Sequence, residues 1–324
     1  MSFEIPGPDL SDLDPTLMIE QYGGEVESQF KKSSFIREYV KIRNVTGTST
    51  ITNNRVGRTT LKKLTPGVRP PGDVTPFGRV QLTVDTVVIA RDNRSMLNEF
   101  QTHFDARMEL AQDHGKEIGY FFDQAFIIMA IKGSLAAAPV LGDGTPAKQS
   151  IGAGKNITLT IAGDENDPDR LAQAITDLLT QFEEAEIPTE ELIVLVRPTH
   201  FQVLLANNKL LSRDFAAGNG DFAKGLLYEI NGARIVKTAR IPTAAIEDHF
   251  LSNAANGNAY DISGTQANAV AVIIHPKSLL AGETIPLQSD VWFSKEEKTW
   301  FIDSFLSFGV TVNRPDCCGA VFKQ

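Results

Sequence analysis

One long helix is the strongest prediction from the hydrophobic pattern of the chain. Between Asp105 and Lys132, residues that are mostly apolar or small recur with three-and-four spacing: Ala111, His114, Ile118, Phe121, Ala125, Ile128 and Met129. This spacing is typical of a helix lying against a sheet. A continuous helix here would be about 42 Å long, far longer than the usual helix of about 11–12 residues. It predicts a strut across an elongated molecule.

A second pattern alternates helices with apolar strands between residues 155 and 275. Asp167-Pro168-Asp169 predicts a helix start, because an acid caps the helix and proline fits its first position. The apolar run Leu192 to Val196 predicts a buried strand, and a turn at Asn231-Gly232 predicts a hairpin. Such alternation favours an α/β layer module.

Strands are predicted on both sides of this module. Val80 to Ala90 alternates apolar and polar residues before an apolar run, which predicts a strand with one buried face. Val270 to Ile274, Val291 to Phe293 and Thr299 to Val312 are the later strand candidates. We expect them to rejoin the strand at Val80 and to pack under the long helix.

Charge divides the first seventy residues into two contrasting segments. The first thirty residues contain seven acids and no base, and Pro6, Pro8 and Pro15 are expected to prevent a long helix there. This segment is either a disordered tail or an arm lying on another surface. Residues 41–72 contain seven bases and no acid, and they predict an extended, hairpin-like loop with its turn at Asn53-Asn54.

Three interpretations of these oppositely charged segments remain open. They could be two solvated, flexible segments, or one subunit's basic loop could lie over an acidic surface of an identical neighbour. A basic loop on nucleic acid is the weakest interpretation, because the loop lacks aromatic residues for stacking.

The composition excludes several classes of protein. The 324 residues are 42% hydrophobic and 22% charged, as in a globular protein. The net charge of −9 argues against sequence-independent nucleic-acid binding by the body of the chain. We expect no membrane span and no signal peptide. The adjacent Cys317 and Cys318 are expected to remain thiols, since neighbouring cysteines rarely bridge each other.

No motif predicts catalysis or a cofactor. Gly152-Ala153-Gly154-Lys155 lacks the leading glycine and the Ser or Thr of a phosphate loop. The five histidines show no metal-ligand spacing, and no nucleophile elbow occurs. We therefore predict no catalytic, metal or cofactor-binding residues.

Five short motifs, in order along the chain, carry a resemblance to a known family. They are Tyr22-Gly23-Gly24-Glu25-Val26 with Phe30; Gly57-Arg58-Thr59 with Leu64-Thr65-Pro66-Gly67; Phe104-Asp105-Ala106-Arg107; Asn231-Gly232-Ala233-Arg234-Ile235-Val236 with Ile241-Pro242; and Arg314-Pro315 with Gly319-Ala320-Val321-Phe322-Lys323. With the order of elements, they resemble the major capsid proteins of short-tailed, T-seven-like bacteriophages. The cysteine pair departs from this pattern, since small residues such as alanine are expected there.

The resemblance implies an α+β capsid fold of the Hong Kong-ninety-seven type. It implies an N-arm (1–42), an extended E-loop (43–79), a P-domain first part (80–155) with a spine helix at about 104–132, an inserted α/β A-domain (156–275), and P-domain return strands with the C-terminus (276–324).

The resemblance also implies a function in assembly. Hexamers and pentamers would form an icosahedral shell around double-stranded DNA, in the virion, with scaffolding and portal proteins as partners and no sequence-specific DNA contacts. Intersubunit contacts are expected from these residues of the E-loop and N-arm: Arg55, Gly57, Arg58, Lys62, Lys63, Arg69, Tyr22, Gly23, Gly24, Glu25 and Phe30. Lys62 and Lys63 lie in the loop that some capsids cross-link, but no cross-link is expected here. The alternatives are an encapsulin-type compartment and, more remotely, an enzyme with an unrecognised site.

Overall fold

The chain is described here from a computed structural model, which covers residues 15–69, 72–95, 106–142, 149–207, 210, 220–221, 224 and 226–324. The chain forms two compact units. Unit 1 comprises Met1–Phe35, Asp85–Phe122 and Thr284–Phe308. Unit 2 comprises Ile36–Val84, Asp123–Glu283 and Gly309–Gln324.

The long helix is confirmed. Helix α3 runs over Ala106–Leu135, 30 residues, close to the predicted 104–132, with Phe104 and Asp105 outside the described residues. Every residue from Ala125 to Ile131 is buried, so this part is enclosed on all sides. The stretch Met108–Leu135 is long and apolar enough to cross a membrane by composition, but 72% of its apolar window is buried inside the protein. Core burial accounts for its apolar character.

The N-terminal segment contradicts the expectation drawn from its prolines. Helix α1 runs over Pro15–Ser33 and is followed by the short helix α2, Ile36–Tyr39. Pro15 is the first residue of α1, a position at which proline breaks no helical hydrogen bond. Pro6 and Pro8 lie outside the described residues. Tyr22, Val26 and Phe30, four residues apart, are buried along one face of α1.

A four-stranded sheet contains the return strands, in the order β1-β12-β13-β4. The strands are β1 (Ile42–Asn44), β4 (Val88–Ser95), β12 (Leu279–Ser294) and β13 (Thr299–Val312). β13 pairs with β4 in antiparallel register, from Thr299 opposite Ser95 to Leu306 opposite Val88. The single strand predicted over Val80 to Ala90 is therefore wrong, since Val80 lies in β3 (Phe77–Thr83) and pairs with β2 (Thr50–Val56).

A six-stranded sheet in unit 2 confirms the α/β module. Its order is β5-β14-β11-β6-β10-β9, from the strands β5 (Lys155–Thr158), β6 (Ile193–Val196), β9 (Glu229–Ile230), β10 (Ala233–Lys237), β11 (Ala269–Ile274) and β14 (Cys318–Phe322). Helices α4 (Pro168–Glu184) and α5 (Pro198–Leu205) connect its strands, and β7 (Gly220–Asp221) and β8 (Leu226–Leu227) form a small separate pair. Leu171, Ile175 and Phe182 of α4 share a core with Val194 and Ile273 of the sheet.

The C-terminal strand departs from the expected domain division. β14 pairs with both β5 and β11, so it lies inside the six-stranded sheet and not with the return strands of 276–324. All five of its residues are buried, as suits an interior strand covered on both faces.

Two local predictions in this module are confirmed. The Asp167 carboxylate accepts hydrogen bonds from the backbone N–H groups of Asp169 (2.9 Å) and Arg170 (3.2 Å) and caps α4. β9 and β10 are joined by Asn231 (φ 47°) and Gly232 (φ 78°), the two positive angles that a tight type I′ hairpin requires.

Candidate intersubunit surfaces

The predicted E-loop is a two-stranded hairpin with a long connection. β2 and β3 pair from Thr50 opposite Thr83 to Val56 opposite Phe77, and residues 57–76 connect them. This connection, called the hairpin loop below, carries most of the predicted assembly residues. The turn predicted at Asn53-Asn54 is wrong, because these residues pair with Val80 and Arg79 in mid-strand.

The base of the hairpin is anchored within unit 2. Leu82 and Val84 are buried against Leu280, with Ile51 and Val80 packed beside them. Arg55 donates to the backbone carbonyls of Val312 and Asn313 at the end of β13. Burial lowers the pKa of this guanidinium. These contacts show that Arg55 holds its own hairpin in place, and its intersubunit role stays a prediction.

The hairpin loop has internal order of its own. The N–H of Gly57 donates to the carbonyl of Pro76 (2.8 Å), and the Thr60 hydroxyl donates to the Asp73 carboxylate. Lys62 Nζ donates to the carbonyl of Gly72 (3.2 Å). These bonds keep the two sides of the loop paired beyond the ends of β2 and β3.

Large apolar side chains of this loop lie in solvent. The exposed fractions are 97% for Leu61, 68% for Leu64, 62% for Val68 and 79% for Val74. The exposure of four large apolar side chains within one loop makes this loop a candidate interaction surface.

Basic side chains alternate with these apolar groups. Arg58, Lys62, Lys63 and Arg69 are exposed, and Asp73 is the single acid among residues 57–69 and 72–76. The loop therefore presents an apolar, cationic surface, whereas Gly57 is half-buried at its base.

The predicted assembly residues of the N-arm divide into two groups. Tyr22 and Phe30 are buried within unit 1, where Phe30 meets the ring of Phe122 edge-on at 5.6 Å. These two side chains hold α1 on its own unit, and their predicted intersubunit contacts stay a prediction. Gly24 is exposed, and Gly23 and Glu25 are half-buried. For these three residues the assignment stays a prediction.

A buried polar cluster fixes α1 on unit 1. The Tyr22 hydroxyl lies 2.9 Å from His114 Nδ1 and 3.2 Å from Ser304 Oγ, and His114 Nε2 lies 2.9 Å from Asp92 Oδ2. Burial is the main cause that raises the pKa of Tyr22 to about 12. Because α1, β4, α3 and β13 all contribute side chains to the cluster, it fixes α1 in a single position. The sequence analysis placed His114 in the helical stripe but did not predict this cluster. A histidine within an apolar stripe was the one sequence feature that could have indicated it.

Two ion pairs with a buried carboxylate also escaped the sequence analysis. In unit 2 the fully buried Asp123 of α3 is paired with Arg240. In unit 1 the Arg91 guanidinium binds both carboxylate oxygens of Asp303, at 2.7 and 2.6 Å. An acid within an apolar run was the only sequence signal for either pair.

The structure also locates the cysteines and the candidate metal ligands. Cys317 and Cys318 are buried thiols, and burial raises the pKa of Cys317 to about 12 and that of Cys318 further. Such thiols are inert as nucleophiles. Over the described ranges, no group of three His, Cys, Asp or Glu residues is placed to hold a metal ion.

Solved structures provide the comparison with known proteins. No family model matches the chain, and no curated protein sequence matches it. The chain is similar to the mature capsid of bacteriophage PhiM1, with 27% identity over 90% of this chain and 87% of that chain and a TM-score of 0.76. It is also similar to the capsid of the cyanophage P-SCSP1u, with 18% identity over 90% and 88% and a TM-score of 0.78. A virus-like particle from Pyrococcus furiosus shares the fold at 12% identity over 94% and 99%, with a TM-score of 0.53.

These similarities confirm the predicted fold and the predicted class of protein. The chain has the α+β capsid fold of the Hong Kong-ninety-seven type. The chain belongs to the class of phage major capsid proteins. Its structural neighbours are capsid proteins, which points to a structural role.

Proposed function

We propose that this chain is the major capsid protein of a short-tailed phage. It forms hexamers and pentamers that close into an icosahedral shell around double-stranded DNA, and it resides in the virion. Scaffolding and portal proteins are its partners during assembly, which takes place in the host cytoplasm. It has no catalytic role.

The hairpin loop is the observation that supports self-assembly most strongly. A two-stranded hairpin is marginally stable in water, and this one also exposes Leu61, Leu64, Val68 and Val74 at its far end. Complete burial of such a side chain contributes about 1.5–3 kcal/mol. Since each subunit of a shell both donates a loop and receives one, this gain is repeated at every contact.

Charge gives the loop its preference for a copy of its own chain. The loop is cationic, whereas the whole chain has a net charge of −9. Neighbouring copies therefore attract the loop at long range, which guides encounter. The acidic body would repel DNA phosphates, so packaged DNA would remain free to slide.

We also propose the division into five segments, at 1–42, 43–79, 80–155, 156–275 and 276–324. In this scheme the hairpin loop, with Arg58, Lys62, Lys63 and Arg69, and the arm residues Gly23, Gly24 and Glu25 make the intersubunit contacts. The hairpin and the long helix support its second and third segments. β14 is the exception, since it pairs within the sheet of the fourth segment.

Electron microscopy of the purified full-length protein tests this function. Closed shells, or tubes with hexameric lattices, are the expected particles. A stable monomer at every concentration would overturn the proposal.

An encapsulin-type compartment is the second candidate, supported by the fold shared with the Pyrococcus furiosus virus-like particle. Particles isolated from the native source separate the two functions. Nuclease-protected DNA within them supports the phage shell, whereas enclosed protein cargo without DNA supports the compartment.

A further inference from the structure

Helix α1 contains two adjacent glycines in its interior. Gly23 and Gly24 lie near the middle of Pro15–Ser33, far from either end of the helix. Glycine at an interior position disfavours the helix about five-fold relative to alanine, because its backbone loses more freedom on folding. The pair therefore makes α1 a weak helix by itself.

Packing does not require glycine at either position. A Cβ atom on Gly24 would have nothing within 4 Å, and one on Gly23 would meet only Ser289 Cβ at 3.9 Å, an ordinary contact. Sterics therefore allow alanine at both positions, yet the chain has the weaker helix former at both.

Helix α3, which packs against α1, contains two glycines that close packing does require. On α3, a Cβ on Gly115 would approach the Val26 carbonyl oxygen of α1 to 2.7 Å, and one on Gly119 would overlap Ser33 Oγ. These two glycines let the backbones of α1 and α3 approach closely. The contrast shows that the α1 glycines lower helix stability without any gain in contact.

The attachment of α1 to unit 1 rests on one face of the helix. Val26 and Phe30 supply buried apolar contacts, and the Tyr22 hydroxyl joins the cluster with His114 and Ser304. On the outer face, the exposed Glu27–Lys31 pair (2.7 Å) adds little. The helical state thus depends on docking, since an isolated helix of this length with two interior glycines is unstable in water.

We propose that α1 is a releasable strap. It is helical while it is docked on α3, and it unfolds as one unit when it leaves, with Gly23 and Gly24 setting the release equilibrium. Under the proposed function, release would make this arm available to a neighbouring copy. The strap itself is a property of one protomer and does not depend on that function.

Hydrogen exchange of the full-length protein, followed by mass spectrometry, tests the strap. We expect peptides of α1 to exchange faster than those of α4, through an opening that does not unfold unit 2. Gly23→Ala with Gly24→Ala should slow α1 exchange by about 25-fold, five-fold for each glycine, and leave α4 unchanged. Gly264→Ala is the matched control: it is another glycine whose Cβ would meet nothing within 4 Å, and it should leave α1 exchange unchanged.

A second variant weakens the docked state and keeps the glycines. Tyr22→Phe removes the hydroxyl from the polar cluster, so α1 exchange should accelerate several-fold while α4 stays constant. Equal exchange of α1 and α4 in the wild type would overturn the proposal. No slowing in the alanine variant, or equal acceleration of both helices in Tyr22→Phe, would also overturn it. Shell formation is scored separately by microscopy, so the strap and the capsid function can fail independently.

Discussion

Replacing Leu61 and Leu64 by serine tests whether the hairpin loop is an assembly surface. Leu61 is 97% exposed and Leu64 is 68% exposed, so the fold of one protomer gains little from either side chain. The variant's free energy of unfolding should stay within about 0.5 kcal/mol of wild type, as for ordinary surface substitutions.

Assembly should respond much more strongly than folding. Burial of an exposed leucine contributes about 1.5–3 kcal/mol, so loss of both side chains should weaken each loop contact by about 2–5 kcal/mol, with Leu64 partly buried already. Since about 1.4 kcal/mol corresponds to ten-fold in an equilibrium constant, each contact weakens more than ten-fold.

Sedimentation velocity over a concentration series measures this effect. The serine variant should require at least a ten-fold higher concentration than wild type to form particles. Leu61→Met with Leu64→Met keeps the apolar surface and should assemble as wild type does. Assembly of the serine variant at the wild-type concentration, with unfolding unchanged, would refute the assigned role of the loop.

Three further predictions concern charge, core pairing and pH. Arg58→Glu with Lys62→Glu should weaken assembly at low salt, and rising salt should weaken wild-type assembly in the same direction; equal assembly of both proteins at low salt would contradict the charge argument. Arg240→Met leaves the buried Asp123 carboxylate without its guanidinium and should cost about 3–5 kcal/mol in urea unfolding. Adding Asp123→Leu should recover most of that loss, and no recovery would show that the pair is not the cause. Burial lowers the pKa of His249 from its ordinary value near 6.5 to about 4. Between these two pH values the unfolded chain binds more protons than the folded chain, so stability falls as the pH falls through that window. His249→Gln should remove up to about 3 kcal/mol of this loss between pH 7 and pH 4, measured by urea unfolding at both pH values, and an unchanged pH dependence would refute the assignment.

The sequence was informative where structure depends on local pattern. The stripe from Ala111 to Met129 predicted helix α3, and the cap at Asp167 predicted the start of α4. The Asn231-Gly232 turn likewise predicted its hairpin. Each signal is complete within a few turns of chain, so it needs no knowledge of distant partners.

Local sequence patterns did not predict contacts between residues that lie far apart in the sequence. Alternation in Val80 to Ala90 predicted one strand, whereas Val80 pairs with Asn53 in one strand pair and Ala90 pairs with Ser304 in another. Composition and prolines argued against a helix near the N-terminus. Burial of the α1 face that carries Tyr22 nevertheless stabilises a helix there.

The candidate surface was predicted in part. Charge located the hairpin loop, because a run of bases without acids is visible in the sequence. Its apolar side chains, such as Leu61, occur singly between polar residues, and only their exposure reveals them as a surface. Arg55 belongs to the same basic run, but its burial against β13 depends on residues more than 250 positions away.

A cryo-electron microscopy map of particles assembled from the purified full-length chain would show where the hairpin loop lies. We expect closed shells in which residues 57–76 of each subunit lie on a neighbouring subunit, with Leu61 and Leu64 buried there. A soluble monomer, or a shell in which these leucines remain in solvent, would contradict this expectation.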